Sequence, residues 1–262
     1  MVRPLRATFD EDAERYDRAR PGYPAELFDD LAALTGLKPG DRILEIGPGT
    51  GQATVPLARR GYRIVAVELG AGLAAVARRN LAAFPDVEVV TAAFEDWPLP
   101  AEPFDAVVCA TAFHWIDPEA RLVRTADALR PGGALAIVTT HHVAGGDEAF
   151  FAAVQDCYER FMPGTEPGER LPPAADVPTL AAELEEGGRF AVAAIRRYER
   201  DIAYTTAEYL DVLATYSGHI ALAPDAREAL FACIAALIDG RHGGEIAKRY
   251  LLELAVARRN RP

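Results

Sequence analysis

The sequence predicts an α/β fold: a doubly wound, mostly parallel sheet with helices on both faces. Three observations predict it. Between about residues 40 and 140, short apolar runs alternate five times with helical patterns. The first run, Ile43-Leu44-Glu45-Ile46, stops in the turn Gly47-Pro48-Gly49-Thr50-Gly51-Gln52, and a helical pattern follows at once. Right-handed crossovers between parallel strands then bring every strand's C-terminal end to one edge, where a ligand binds.

The first strand and its turn carry the most chemistry. Glycines lack a Cβ, so backbone approaches a ligand closely and reaches positive φ. A nicotinamide dinucleotide site reads G-x-G-x-x-G. Counted from Gly47, its third glycine falls on Gln52. The spacing here is E-x-G-x-G-x-G. Glu45, two residues before the first glycine, puts a carboxylate where a dinucleotide fold wants a pyrophosphate. That suits a ligand with an ammonium and no phosphates.

Arg63-Ile64-Val65-Ala66-Val67-Glu68 is the second strand. Glu68 lies at the distance expected of a carboxylate that takes ribose hydroxyls; its alternative is a solvated strand end. Val87-Glu88-Val89-Val90 is the third strand, followed by Ala93-Phe94-Glu95-Asp96-Trp97. Phe104 to Cys109 is the fourth. Asp117 then caps a helix, with Pro118 at its first position. Leu129-Arg130-Pro131-Gly132-Gly133 is expected to end that helix as a turn before a fifth strand, Ala134 to Thr139.

Residues 141–195 are rich in Gly, Pro and Ala and read as a long irregular connection and a mobile lid. Arg196 to Tyr204 and Arg249 to Ala257 read as the last two strands. Between them lie two helical patterns. One runs from about Thr206 to Thr215. The other follows Pro224, with Leu230, Ile234, Leu237 and Ile238 on one face. Together they form a small cap. The expected organisation is an N-terminal helical lid over 1–35, a ligand-binding α/β core over 36–145, an irregular or helical lid over 146–195 and final strands with a helical cap over 196–262, all one catalytic domain.

Composition narrows the function class. Half the 262 residues are apolar, a quarter are charged and the net charge is −11. No basic run is present, which argues against nucleic acid and against an anionic membrane surface. No apolar run spans a bilayer and no signal-peptide core opens the chain. Cys109, Cys157 and Cys233 lie far apart in apolar settings and share no metal spacing, so free buried thiols in a reducing, cytoplasmic compartment are expected. No metal is expected. The oligomeric state is expected to be monomer or homodimer.

The acid-flanked glycine turn resembles motif I of the class I S-adenosylmethionine-dependent methyltransferases. In that family the loop wraps the methionine part of the cofactor, and the acid helps hold its amino group. "LRPGG" before a strand recurs there too. "RPGYP" near the start, "AFHW" after the fourth strand and "TYSGH" in the cap are similar to the small-molecule, trans-aconitate methyltransferase-like branch. The resemblance covers nearly the whole chain. It implies a seven-stranded Rossmann-like sheet with the last strand antiparallel, and S-adenosyl-L-methionine as cofactor.

Carried onto this sequence, it implies cofactor contacts from Glu45, Gly47, Pro48, Gly49, Gly51, Gln52, Glu68, Leu69, Ala93, Phe94, Glu95, Ala110 and Thr111. Many relatives place Asp where Ala93 stands, so here Glu95 or a main-chain carbonyl has to meet the adenine amino group. Phe94 either packs on the purine or fills the core. The loop from Ala110 to Trp115 faces the transferable methyl in this fold. His114 is the candidate base or orienting group there, against a structural histidine bonded to backbone. Trp115 is a candidate pocket wall. Tyr16 and Arg20, four apart, share a helix face and meet ligand or stack on each other. Tyr23 and His219 complete the substrate candidates, with His141 and His142 as further ones.

The expected reaction is methyl transfer to a small-molecule acceptor, at a carboxylate or hydroxyl oxygen. The alternatives are a non-methylating user of the same cofactor, such as an aminopropyltransferase or cyclase, and an NAD(P)-binding oxidoreductase. A non-enzymatic binding domain would need a degraded glycine turn, and this one is intact.

Overall fold

A computed structural model describes residue 10 and residues 12–261. The first nine residues of the expected N-terminal lid, Phe9 among them, and Glu11 lie outside the described residues. The strands are β1 (Arg42–Ile46), β2 (Arg63–Glu68), β3 (Val87–Thr91), β4 (Phe104–Ala110), β5 (Leu129–Gly146), β6 (Phe190–Thr205) and β7 (Glu245–Arg259). The helices are α1 (Ala13–Ala19), α2 (Ala25–Thr35), α3 (Thr54–Ala58), α4 (Ala71–Asn80), α5 (Pro118–Ala128), α6 (Glu148–Ala153), α7 (Gln155–Phe161), α8 (Ala181–Glu185), α9 (Thr206–Leu213), α10 (Ser217–Ile220) and α11 (Pro224–Arg241).

The seven strands form one sheet in the order β3-β2-β1-β4-β5-β7-β6. β1 pairs in parallel with β2 and β4, β2 with β3 and β4 with β5. β7 runs antiparallel to its neighbours, so the expected doubly wound sheet is present. Each central strand sends alternate residues to opposite faces. Leu44, Val107, Cys109, Leu135 and Ile137 enter one cluster with Ala126 and Ala128 of α5. Ile43, Val108, Ala136 and Val138 enter a second with Leu27, Phe28 and Leu31 of α2 and Leu57 of α3. Strands buried on both faces explain the near-continuous apolar runs of the sequence.

The chain divides into two compact units. One comprises residues 21–140, 178–198 and 252–262 and holds both sheet-face clusters. The other comprises the described part of 1–20, residues 141–177 and residues 199–251. Its core joins Phe150, Val154 and Cys157 to Tyr209, Val212, Leu230, Ile234, Ile238 and Tyr250. The helix after Pro224 buries Leu230, Ile234 and Ile238, as its periodicity predicts, with Leu237 partly buried. Asp117 caps α5 by accepting from the Glu119 N–H at 2.8 Å.

Three expectations are corrected. Leu129 to Gly133 are not a turn outside the sheet: β5 starts at Leu129, and a register irregularity between Phe104 and Ala106 absorbs the Pro-Gly-Gly. β6 begins at Phe190 rather than Arg196, and the stretch before it, expected to be irregular or helical, carries α6, α7 and α8, because Phe150, Phe151, Val154 and Cys157 recur at helical spacing and bury. The three cysteines are not all free. Cys157 of α7 and Cys233 of α11 form a disulfide with their Cα atoms 5.9 Å apart, across 76 residues of sequence, while Cys109 is free and buried. Packing of α7 on α11 creates that pair, and separation along the chain hides it. Among the described residues no helix is long and apolar enough to cross a membrane.

Candidate active site

In the sheet-bearing unit, β1 delivers Glu45 and the glycine turn. Gly47, Gly49 and Gly51 have φ of 67°, 60° and 101°, a region costly for side-chain-bearing residues. At Gly47 a second demand is added: a Cβ there would stand 2.6 Å from Ala112 Cβ. The turn is also tied down. The Gly47 N–H donates to Val67 O at 2.9 Å, and the Gly51 N–H to Pro48 O at 2.9 Å. Gln52 Nε2 donates to Thr50 Oγ1 at 2.7 Å, and Asn80 Nδ2 donates to Thr50 O at 2.9 Å.

Glu68 ends β2 and is buried. Its Oε2 accepts from the Gly49 N–H at 2.9 Å and its Oε1 from the Gly70 N–H at 2.8 Å. It is therefore no solvated strand end. Leu69 beside it is an exposed large apolar residue.

Glu45 is buried, and neither carboxylate oxygen has a hydrogen-bond partner. Burial pushes its pKa up to about 7; the nearby Thr54 hydroxyl counters part of the rise without reaching hydrogen-bonding geometry, and Glu68 adds repulsion. A buried carboxyl left unpaired is costly. Such a carboxyl fits the donor of a ligand, and a buried polar group of this kind is a functional-site candidate.

On the third strand's side, Phe94 sinks into the core under the Arg124 guanidinium, 5.5 Å from its ring. Its core alternative is the one the structure shows. Ala93 O accepts from the Asp96 and Trp97 N–H groups, and Glu95 Oε1 accepts from the Asp117 N–H at 3.2 Å.

Beyond Ala110, the end of β4, Thr111 has φ of 57°, the sole positive value for a non-glycine among the described residues. A β-branched residue held there is strained, which is a feature of functional loops. Thr111 is over-determined: its N–H donates to Val138 O at 2.7 Å, and its Oγ1 lies 3.0 Å from Tyr23 Oη and 3.1 Å from Thr140 Oγ1. His114 is exposed on a 3-10 turn, with its ring 4.7 Å from that of Trp115. Partial desolvation, then repulsion from Arg121, lowers its pKa below the usual imidazole value.

The second unit holds the other substrate candidates. Arg20 lies over the rings of Tyr16 and Tyr216 at 5.0 and 4.7 Å, and its Nη2 donates to Thr215 O at 2.8 Å. Tyr16 also lines a cavity of about 670 Å³ with Thr215 and Phe231. His219 is buried with Nε2 3.2 Å from Tyr158 Oη and no partner for Nδ1. Burial, then Lys248, lowers its pKa to about 4. His142 packs edge-on against Tyr216 and Tyr250, with centroids at 5.3 and 5.5 Å. Neither Lys248 nor Tyr250 is singled out by sequence pattern. Nor are Asn80 and Thr140, which buttress the glycine turn and Thr111 from remote elements.

Residues 44–137 match the family described as "Methyltransferase domain". The match runs from β1 through β5 and includes the glycine turn, Glu68 and the Thr111 loop. An uncharacterized methyltransferase of Mycobacterium tuberculosis (strain ATCC 25618 / H37Rv) is 36% identical over 136 residues, 52% of this chain and 53% of that protein. One from Geobacillus sp. is 28% identical over 169 residues, 61% of this chain and 78% of that protein. The chain thus spans about half the length of the first of these relatives. A solved structure described as a type II methyltransferase from Anaeromyxobacter dehalogenans superposes with a TM-score of 0.58 at 27% identity, covering 92% of this chain and 97% of that one.

The residues present fit S-adenosylmethionine, the cofactor that the resemblance implies. Glu45 offers two unpartnered acceptors to an ammonium. Glu68 already stands as a two-oxygen acceptor at the end of β2. Gly47, Gly49 and Gly51 present backbone without a Cβ, which leaves room for the methionine part of such a cofactor. Among the described residues no group of three or more His, Cys, Asp or Glu is placed to hold a metal ion.

Proposed function

We propose that this chain transfers a methyl group from S-adenosylmethionine to an oxygen of a small organic acceptor. The observation that carries the reading is the unpartnered, buried Glu45 beside a glycine turn that Glu68 braces. An ammonium-bearing ligand relieves the cost of that carboxyl, and a phosphate-bearing dinucleotide raises it.

When bound, the cofactor supplies an electrophilic methyl carbon, so the protein's task is to hold, orient and dehydrate. Glu45 takes the amino group of the methionine part. Glu68 exchanges an amide contact for the ribose hydroxyls, and Leu69 covers the base. Glu95 meets the adenine edge, since both lone pairs of the Ala93 carbonyl are taken by the Asp96 and Trp97 N–H groups. Thr111, fixed by Tyr23 and Thr140, sets the floor of the loop facing the methyl. His114 is neutral near pH 7, which leaves a ring nitrogen free to accept from a hydroxyl acceptor or to orient a carboxylate. Trp115 walls the acceptor. The test is turnover: purified protein with S-adenosylmethionine and a panel of carboxylate, phenol and alcohol acceptors should release S-adenosylhomocysteine with at least one of them. Release with none, alongside tight cofactor binding, would point to a non-methylating use of the cofactor.

A further inference from the structure

The Cys157–Cys233 bond crosses from α7 to α11 inside one compact unit. It joins positions 76 residues apart, so it restrains the unfolded chain far more than the folded one. The folded unit does not depend on it alone: Phe150, Val154, Tyr209, Leu230, Ile234 and Ile238 supply an apolar core of their own.

The two sulfurs are not equivalent. Cys157 is 3% exposed, whereas Cys233 is only partly buried on α11. A thiolate from outside therefore meets Cys233 first, and Cys157 is the leaving side. Cys109 takes no part. It lies in the other unit, fully buried, where burial pushes its thiol pKa up.

The bond also ties together two helices that share a histidine. Cys157 is followed by Tyr158, whose Oη lies 3.2 Å from His219 Nε2. Phe231, one helical half-turn before Cys233, brings its ring to 5.9 Å from the same imidazole. His219 is thus held by α7 and by α11, next to the bond in both cases. Phe231, Ala232 and Ala235 of α11 wall the cavity of about 670 Å³ in this unit as well.

We propose that the Cys157–Cys233 pair is a thiol–disulfide exchange site, opened at Cys233 by a dithiol and closed again by a disulfide, that sets how firmly α7 and α11 hold His219. In the opening direction a thiolate of the dithiol attacks Cys233 Sγ. The Cys157–Cys233 bond breaks, and Cys157 leaves as a thiolate and takes a proton. The second thiolate of the dithiol then attacks its own sulfur in the mixed disulfide and releases Cys233, which is protonated in turn. Two electrons and two protons pass to the pair, and the dithiol becomes a disulfide.

The test equilibrates the full chain, natively folded, with mixtures of reduced and oxidised dithiothreitol. The pair should open without denaturant and close again when the oxidised reagent is restored. Reduction should lower Tm by roughly 5–15 °C and leave the chain folded. It should also shift the His219 ring resonance, assigned by its loss in His219→Gln. Glutathione alone should leave its mixed disulfide on Cys233, located by peptide mass. Cys233→Ser should show the lower Tm and the shifted His219 resonance with either reagent; if it does not fold, reduction of the parent chain gives the same readouts. A pair that opens only after denaturation, glutathione trapped on Cys157 instead, two free thiols under oxidising conditions, or a Tm and a His219 resonance that ignore the redox state would each overturn the proposal.

Discussion

The Glu68 carboxylate accepts a hydrogen bond from the Gly49 amide at 2.9 Å, joining the end of the second strand to the middle of the glycine turn. The other oxygen takes the Gly70 amide at 2.8 Å. One side chain thus ties the glycine turn to the start of the loop after β2, and it is the side chain proposed to take the ribose hydroxyls.

Glu68→Ala should therefore act twice. Hydrogen bonds to a charged group contribute about 1.5–3 kcal/mol. Cofactor affinity should fall roughly tenfold or more, and Tm should fall as well, because two amides lose their acceptor. Glu68→Gln keeps one acceptor oxygen and should recover part of both. Calorimetry and thermal melts on the two variants check this; a melt unchanged in Glu68→Ala would show that the amides find other partners.

Gly47→Ala should be destabilising on two separable grounds. The positive φ costs roughly 1–2 kcal/mol for a residue with a Cβ. The new methyl would also meet Ala112 Cβ at 2.6 Å. Gly47→Ala combined with Ala112→Gly removes the contact and leaves the φ cost, so its Tm should lie between those of parent and single variant. A double variant no better than Gly47→Ala would place the whole penalty in the backbone.

Glu45 predicts a pH signature. Its folded pKa, about 7, lies above the ordinary 4.5, so the folded state holds the extra proton between those values. Stability from this group is then fullest below about pH 4.5 and declines as pH rises through 7, by a total on the order of 3 kcal/mol. Glu45→Gln should flatten that decline in urea melts. Binding of an ammonium-bearing ligand at pH 6.5 should ionise Glu45 and release a proton, seen as a binding enthalpy that varies with buffer. Buffer-independent enthalpies in parent and variant alike would remove Glu45 from the ligand site.

His114 is predicted to orient the acceptor. His114→Gln should keep turnover within about tenfold of parent, with His114→Ala losing more, and cofactor affinity should hold in both. A base role would instead cost about 10²–10⁴-fold in either variant and give activity that rises with pH through the lowered imidazole range. Rates of S-adenosylhomocysteine release from pH 5 to 9 decide between them.

What the sequence made legible follows physical range. The alternating apolar runs predicted β1 to β4 because strands buried on both faces need local apolar side chains. The glycine turn was readable because positive φ needs glycine, and Gly47, Gly49 and Gly51 all adopt it. Asp117 and Pro118 were readable as a helix start for the same local reason. Less legible was everything set by long-range packing. The Pro-Gly-Gly of β5 read as a turn because only the neighbouring strand's register shows that it stays in the sheet. The Cys157–Cys233 pair depends on two helices meeting. Thr111 carries no glycine to announce its φ, and its anchors, Tyr23 and Thr140, come from distant elements. Lys248 sits in an apolar strand pattern and looks like an edge residue until its burial is seen.

The acid-flanked turn is proposed to hold a cofactor with an ammonium and no phosphate. Titration of the purified chain with S-adenosylhomocysteine, followed by competition with NADH, tests it most directly. Binding at micromolar affinity or better, weakened roughly tenfold or more in Glu68→Ala and untouched by NADH, is the expected outcome. Tight NADH binding with no response to S-adenosylhomocysteine would contradict it.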